Sequence, residues 1–189
     1  ARRTAVRAAR LAAFACLFLA VALAAGLALA QPPAESYLDE HLAGFRPLLG
    51  KTFRGEMAAS TPEKPVFDVS YWERVLGGAA VRITHSVGDG DYCGESIVFW
   101  DAEAGGIVSY YFTSAGFYTQ GTLRFEGSKF FAHDTVSGEI DGITEVRSVC
   151  ELLADGALKV SSEYFKDGQW VTGEGALYRE APDAQVICR

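Results

Sequence analysis

The fold of this chain is indicated most clearly by residues 143–168, which read ITEVRSVCELLADGALKVSSEYFKDG. Two runs in this stretch alternate apolar or small side chains with charged or polar ones, and they end before Asp155-Gly156 and Asp167-Gly168. Successive side chains of a β-strand point to opposite faces, so each run predicts a strand with one buried and one solvent-exposed face. Asp-Gly favours the type I′ hairpin turn, whose two central residues both need a positive φ. The stretch therefore predicts antiparallel strands joined by tight turns.

Similar turn signals divide the remainder of residues 51–180 into strand-like runs rich in β-branched and aromatic residues. Further turn signals are Gly77-Gly78, Asp89-Gly90, Gly105-Gly106, Ala115-Gly116, Glu126-Gly127 and Asp141-Gly142. No later segment has a helical period long enough for a crossover helix, so the sheet must be mostly antiparallel. We predict an all-β fold, an antiparallel up-and-down barrel of about ten strands after a short helix over residues 36–49. A two-sheet β-sandwich is the alternative, because turn spacing alone does not separate the two.

The first 30 residues have a different composition from the rest of the chain. They contain Arg2, Arg3, Arg7 and Arg10 and no acidic residue, followed by an apolar run that ends in Ala28-Leu29-Ala30. This order predicts a secretory signal peptide over residues 1–30, cleaved after Ala30 in a periplasmic or secreted protein. The alternative is an uncleaved anchor, because residues 11–30 are long enough to span a bilayer.

The remaining domain boundaries follow from composition. Residues 31–36 are rich in proline and polar side chains and predict a flexible leader, residues 37–180 the barrel domain, and residues 181–189 a C-terminal tail.

The charge of the chain excludes one class of partner. There are 17 Lys and Arg against 24 Asp and Glu, a net charge of −7, and cleavage after Ala30 would leave −11. A nucleic-acid-binding domain normally carries a basic face, so we expect no nucleic-acid partner. An acidic surface also avoids anionic membranes, so we expect no membrane association after signal cleavage. The sequence leaves the oligomeric state open.

Three segments resemble known barrels. Residues 45–56, FRPLLGKTFRGE, resemble the opening of calycin-type barrels, in which a short helix passes through a Pro-Leu-x-Gly turn into the first strand. Residues 67–74, FDVSYWER, and residues 113–118, TSAGFY, are similar to an uncharacterised bacterial lipocalin-like family with export signals. The resemblance implies a ten-stranded barrel and no established activity.

Nitrobindin, a haem-binding barrel, has a similar Pro-Leu-x-Gly opening, and its haem is held by a histidine near the end of the chain. In this sequence the last predicted strand, residues 170–178, reads WVTGEGALY and contains no histidine. The early Gly-x-Gly-x-Tyr-Pro run of nitrobindin is also missing after Gly55. Both departures argue against haem, and we expect no cofactor.

Two polar residues are candidates for the interior of the barrel. His85 shares the apolar face of its strand, and the same parity in the preceding strand would point Glu73 inward. A tight hairpin at Gly77-Gly78 places Glu73 opposite Arg82, because paired residue numbers then sum to about 155. Glu73 and His85 could anchor a ligand or act as an acid–base pair. The alternatives are a hydrogen-bonded core pair, or a strand register that turns Glu73 outward.

These residues define a predicted cavity. Parity places further apolar candidates on its wall, namely Tyr71, Ile83, Phe117, Leu123 and Tyr164. We expect the barrel to bind a small apolar molecule there, with Glu73 and His85 as polar contacts. An enzyme that uses the same cavity and a structural domain with a filled core are the alternatives. No hydrolase, zinc or phosphate-binding motif occurs, so we assign no catalytic residue and no metal site.

The cysteines predict one disulfide bond. Removal of residues 1–30 would leave Cys93, Cys150 and Cys188, and an oxidising compartment favours one pair among them. Counting strands up and down places Cys150 near the end of the barrel where the tail begins, and Cys93 at the other end. We therefore expect a Cys150–Cys188 bond.

Overall fold

The computed structural model describes residues 37–138 and 140–189 of the chain. The predicted signal peptide of residues 1–30 and the predicted leader of residues 31–36 lie outside the described residues. Within the described ranges, no helix combines the length and the apolar character that a membrane crossing requires.

Ten antiparallel strands follow one another around a closed barrel, and the first strand pairs with the last to complete it. Closure leaves no unpaired sheet edge, which removes the aggregation hazard of a long open sheet. The predicted all-β barrel is therefore confirmed, and the sandwich alternative is wrong. The strands are β1 (Lys51–Glu56), β2 (Phe67–Val75), β3 (Ala80–Val87), β4 (Tyr92–Asp101), β5 (Gly106–Thr113), β6 (Tyr118–Glu126), β7 (Lys129–Ser137), β8 (Ile143–Leu152), β9 (Leu158–Lys166) and β10 (Gln169–Glu180).

Two of the Asp-Gly turns have the backbone that the sequence predicts. Asp167 and Gly168 have φ of +52° and +78°, and Asp141 and Gly142 have φ of +49° and +74°. Positive φ at both central residues is the condition for a type I′ turn, which matches the twist of the two flanking strands. The turn between β9 and β10 is tight enough that Lys166 pairs directly with Gln169.

A 3-10 helix over Glu40–Leu48 covers one end of the barrel, which we call the helix end. Asp39 caps it, because its side chain accepts a hydrogen bond from the backbone N–H of His41. Leu42, Phe45 and Leu48 point into the barrel and are fully buried. They belong to one core cluster with Phe53, Trp72, Val81, Val98, Ile107, Leu123, Phe130, Leu158 and Tyr178. The opposite end, which we call the far end, is formed by the loops that follow β1, β3, β5, β7 and β9.

The register decides which face of β2 lines the interior, or lumen. Asp68, Ser70 and Trp72 are buried and face the lumen, whereas Tyr71 and Glu73 lie on the outer wall. The predicted inward positions of Tyr71 and Glu73 are therefore wrong. In β2 most apolar side chains, Phe67, Val69, Tyr71 and Val75, lie on the outer wall, and Trp72 is the one large apolar side chain on the inner face. Alternation in this strand therefore indicates the wrong face.

The pairing predicted for Glu73 is nevertheless confirmed. Glu73 stands directly opposite Arg82, and its Oε1 accepts hydrogen bonds from Arg82 Nε at 2.8 Å and Nη2 at 2.5 Å. The bond raises the pKa of the Arg82 guanidinium. Both side chains are partly exposed on the outer wall, so Glu73 is part of a surface ion pair and not of the lumen.

The C-terminal tail, residues 181–189, runs along the outside of the barrel. Ala181 N–H donates to Thr52 O at 2.8 Å, and Ile187 N–H donates to Ser86 Oγ at 3.0 Å. The tail covers Ser86 and Cys93, which point outward and are nevertheless buried. It is fastened there by a disulfide bond between Cys93 and Cys188.

The predicted Cys150–Cys188 pair is therefore wrong. Cys150 faces the lumen on β8, where burial raises the pKa of its thiol to about 12. A tail that runs along the outer wall can reach only an outward-facing cysteine, and Cys93 meets that condition. Strand counting placed the cysteines along the barrel axis but did not include the face on which each one lies.

Candidate functional site in the barrel lumen

A chain of hydrogen-bonded side chains lines the lumen toward the far end. His85 Nδ1 lies 2.9 Å from Asp68 Oδ1, and His85 Nε2 lies 2.7 Å from the hydroxyl of Tyr111. The Tyr111 hydroxyl lies 2.5 Å from that of Tyr92. These four residues come from β2, β3, β4 and β5, which are neighbours in the barrel. We call them the His85 network.

The second oxygen of Asp68 is also occupied. Tyr178, on β10, donates its hydroxyl to Asp68 Oδ2 at 2.7 Å. Asp68 thereby accepts one hydrogen bond on each oxygen while its side chain is 11% exposed. A buried carboxylate needs such partners, because leaving it without them is very costly. Asp68 therefore holds the orientation of both His85 and Tyr178.

Burial sets the protonation of the tyrosines in this region. It raises the pKa of Tyr111, Tyr178 and Tyr92 above the ordinary value. A phenolate would lose its hydration there, so each group stays a neutral hydroxyl at neutral pH. Each can therefore donate one hydrogen bond and accept others.

Counting donors and acceptors gives two arrangements of the hydrogen bonds in this network. A carboxylate only accepts, so His85 Nδ1 donates to Asp68. When His85 is neutral, its Nε2 accepts from Tyr111, which in turn accepts from Tyr92. When His85 is protonated, Nε2 donates to Tyr111, and the hydroxyl of Tyr111 turns toward Tyr92. One proton on His85 thus reverses the direction of the tyrosine hydrogen bonds.

Two glycines make room for the tyrosine rings. A Cβ on Gly94 would lie 2.3 Å from the ring of Tyr111, and one on Gly55 would lie 2.9 Å from the ring of Tyr178. Neither distance is compatible with a side chain, so both rings rest directly on backbone. The small residue beside each ring allows the hydroxyl to reach the network.

A second polar pair lies deeper in the lumen. Asp134, on β7, faces inward, and its Oδ1 accepts a hydrogen bond from Ser109 Oγ at 3.0 Å. Burial raises the pKa of the Asp134 carboxyl, although the bond from Ser109 opposes that shift. Its neighbour His133 points to the outer wall and pairs with Glu145 at 2.7 Å. Asp134 and His133 are thus on opposite faces of one strand.

Small side chains form the wall next to Asp134. Ala132, Ser148 and Ser162 pair across β7, β8 and β9 and share its inward face. All three are only partly buried, although they face the interior. Solvent therefore reaches this part of the inner wall, in contrast to the filled core at the helix end.

The structure divides the seven predicted ligand-contacting residues into three groups. His85, Ile83, Leu123 and Tyr164 face the lumen, although Leu123 belongs to the buried core cluster. Phe117 lies in the loop before β6, where its ring centroid is 6.5 Å from that of Tyr111. Glu73 and Tyr71 are on the outer wall and take no part in this site.

The sequence contained a signal for the missed partner of His85. The pairing rule that placed Glu73 opposite Arg82 also places Ser70 opposite His85, as observed. Asp68 is then the diagonal neighbour of His85, within reach of its long side chain. Tyr178 had no comparable signal, because β10 approaches β2 only through barrel closure. The contacts of Tyr111 with His85 and of Asp134 with Ser109 cross an intervening strand and depend on the curvature of the sheet.

Metal ligation is not suggested by the described residues. Among residues 37–138 and 140–189, no group of three His, Cys, Asp or Glu side chains is arranged to hold a metal ion. The expectation that this chain holds no haem or other cofactor stays a prediction.

Comparison with known proteins gives the fold alone. No protein-family model matches this sequence, and no curated protein matches it. Among solved structures, the chain is similar to the crystal structure of Rv2717c from M. tuberculosis, with a TM-score of 0.56 and 16% sequence identity. The alignment covers 77% of this chain and 99% of that chain. A likeness at this identity concerns architecture, so membership of a lipocalin-like, calycin or nitrobindin family stays a prediction.

Proposed function

We propose that this protein binds a small, mostly apolar molecule in the lumen, between the His85 network and the small side chains of β7, β8 and β9. The observation that carries the proposal is that both features lie on the inner wall. Ligand sites are mostly apolar concave surfaces with a few polar groups that fix orientation. The lumen has this composition, with Ile83, Val146 and Tyr164 on the same face as the polar groups.

The proposal differs from the sequence-based hypothesis in its polar contacts. Glu73 is excluded by its position on the outer wall, and Asp68 takes its place beside His85. Tyr111 and Tyr92 extend the polar surface along the chain of hydrogen bonds. A ligand hydroxyl or carbonyl could bind to the hydroxyl of Tyr92.

A lumen-blocking substitution tests this proposal. We expect 1-naphthylmethanol, a neutral aromatic alcohol, to bind the native protein in isothermal titration calorimetry. Ser148→Phe should weaken that binding by at least about tenfold, or about 1.4 kcal/mol, because its ring would fill the space next to Ala132 and Ser162.

Ser161→Phe is the matched control. Ser161 is exposed on the outer wall of β9, next to the inward-facing Ser162. The control variant should bind the probe like the native protein. Equal loss of binding in both variants, or no binding to the native protein, would contradict the proposal. Native mass spectrometry of protein from its own host should also detect a co-purified molecule.

An acid–base enzyme is a second candidate, favoured by the sequence of contacts from Asp68 through His85 to Tyr111. A carboxylate that orients an imidazole against a hydroxyl is the arrangement that activates a hydroxyl for proton transfer. Burial raises the pKa of Tyr111, so its hydroxyl would take part as a donor to His85 and not as a base. Conversion of the co-purified molecule on incubation with the protein would distinguish catalysis from binding.

We also propose that the chain is exported and cleaved after Ala30. The composition of residues 1–30 supports this, and the Cys93–Cys188 bond suits an oxidising compartment. N-terminal sequencing of the exported protein should begin at Gln31. Recovery of an intact N-terminus in a membrane fraction would contradict cleavage and support an anchor.

A further inference from the structure

We propose that the molecule bound in the lumen is an organic cation, an apolar body with a protonated amine that binds the carboxylate of Asp134. This inference rests on the proposed function and adds the chemical class of the ligand. It predicts a preference among compounds of the same shape and different charge.

Asp134 has one oxygen available to a ligand. Ser109 donates to Oδ1, and no salt bridge in the described part of the chain includes Asp134. Among the described residues, no fully buried side-chain nitrogen or oxygen lacks a hydrogen-bond partner. Oδ2, which has no hydrogen-bond donor among the described side chains, is therefore accessible from the lumen.

The carboxylate lies close against the backbone of β6. A Cβ at Gly121, its cross-strand partner, would lie 2.5 Å from Asp134 Oδ1 and 2.1 Å from the carbonyl oxygen of His133. Glycine is therefore required at this position. The space over Gly121 is taken by the Asp134 carboxylate itself, which lies on a wall continued by Ala132 and Ser148.

The cationic side chains of the described barrel are elsewhere. Among lysines and arginines, only Lys51, Arg74 and Lys166 have the inward parity of their strands. Lys51 pairs with Glu180 at 3.0 Å, and Arg74 Nη1 donates to Tyr37 O at 3.1 Å, both at the helix end. Lys166 is the last residue of β9, at the far end of the barrel.

The interior therefore has an acidic character. Asp68 has hydrogen-bond partners on both oxygens, His85 and Tyr178, whereas Asp134 has only the neutral hydroxyl of Ser109. A buried carboxylate without a cation is destabilised by lost hydration, in accord with the raised pKa of Asp134. An ammonium group on a ligand would supply the missing positive charge and a charge-assisted hydrogen bond.

The aromatic residues of the lumen favour the same class of ligand. Tyr164 is in the same row as Asp134, because Asp134 pairs with Val146 and Val146 pairs with Tyr164. The two residues are two strands apart, a separation of about 10 Å along the curved wall. The electron-rich face of a tyrosine ring attracts cations, so an apolar amine can use both groups.

Three compounds of one shape test the inference: 1-naphthylmethylamine, 1-naphthylmethanol and 1-naphthoate, which carry a positive, zero and negative charge at neutral pH. Calorimetry on the native protein should give the tightest binding for the amine, by about tenfold over the alcohol. The carboxylate should bind weakest. Equal affinity for all three would overturn the inference and leave the proposed function intact, whereas binding by none would contradict both.

Asp134→Asn identifies the residue responsible. The amide oxygen can still accept from Ser109, so we expect the variant to fold, and its affinity for the amine is compared with its own affinity for 1-naphthylmethanol. Its preference for the amine should disappear. Glu163→Gln, which neutralises an exposed acid on the outer wall of β9, is the matched control and should keep the preference. An amine preference that survives in Asp134→Asn would overturn the assignment.

Discussion

Replacing Phe45 with alanine should lower the free energy of unfolding by about 3–5 kcal/mol, the range for deletion of a buried aromatic ring. Phe45 is 0% exposed and lies at the centre of the helix-end core. Its ring centroid is 4.9 Å from that of Phe125, 5.4 Å from that of Phe130 and 5.8 Å from that of Trp72. The substitution removes all three contacts and leaves a cavity that strands cannot close by small shifts. Urea unfolding followed by tryptophan fluorescence measures the loss.

Phe112→Ala is the matched control for this experiment. Phe112 lies on the outer wall of β5 and is 50% exposed. It stacks only on neighbouring outer-wall tyrosines, with centroid distances of 6.3 Å to Tyr110 and 6.0 Å to Tyr118. We expect a loss below about 1 kcal/mol, the scale of one cross-strand pair. Comparable losses in the two variants would mean that the helix does not anchor the core.

Loss of the disulfide bond should have the second large effect. Cys188→Ser should lower the free energy of unfolding by about 2–5 kcal/mol, because the bond constrains the unfolded chain across a long loop. Cys93 and Cys188 are separated by 95 residues, which places the expected loss in the upper part of the range. Urea unfolding of the native protein in dithiothreitol should reproduce the stability of the variant.

The variant Cys150→Ser tests which cysteines form the disulfide bond. Reductant should lower the stability of Cys150→Ser by the same amount as in the native protein, because Cys150 takes no part in the bond. It should have no effect on Cys188→Ser. Reductant sensitivity that disappears in Cys150→Ser would instead indicate the Cys150–Cys188 pair that strand counting suggested.

The disulfide bond also bears on the lumen. Cys93 lies between Tyr92, the last member of the His85 network, and Gly94, which makes room for the Tyr111 ring. The tail therefore fastens the outer side of the segment that carries two inward-facing site positions. The three consecutive residues Tyr92, Cys93 and Gly94 therefore connect the attachment of the tail on the outer wall with the site on the inner wall.

Sequence patterns were sufficient to place the hairpins, which depend on residues close together in the chain. The alternation in β8 and β9 and the Asp-Gly turns predicted antiparallel hairpins, and Asp167 and Gly168 have the required positive φ. The opposition of Glu73 and Arg82 also follows from a short connection. A tight turn leaves few registers, so local chemistry alone selects one.

The face of each strand that points inward was harder to predict from the sequence. In β3 the apolar positions share the inner face with His85, whereas in β2 most of the apolar residues point outward. The inner face of β2 is selected by what lies across the lumen, where Trp72 meets Phe45 of the helix. The outward path of the tail similarly determined which cysteine Cys188 could reach.

The candidate site depends most strongly on tertiary structure. Tyr178 and Asp68 are 110 residues apart and meet because β10 closes on β1, which places β10 one strand away from β2. Ser109 of β5 reaches Asp134 of β7 across β6, because curvature of the wall brings alternate strands together on the inner side. Turn chemistry and alternation specify the strands and their order, since both act over a few residues. The partners of each polar side chain in the lumen were decided by closure and curvature of the sheet, which bring distant strands to face one another.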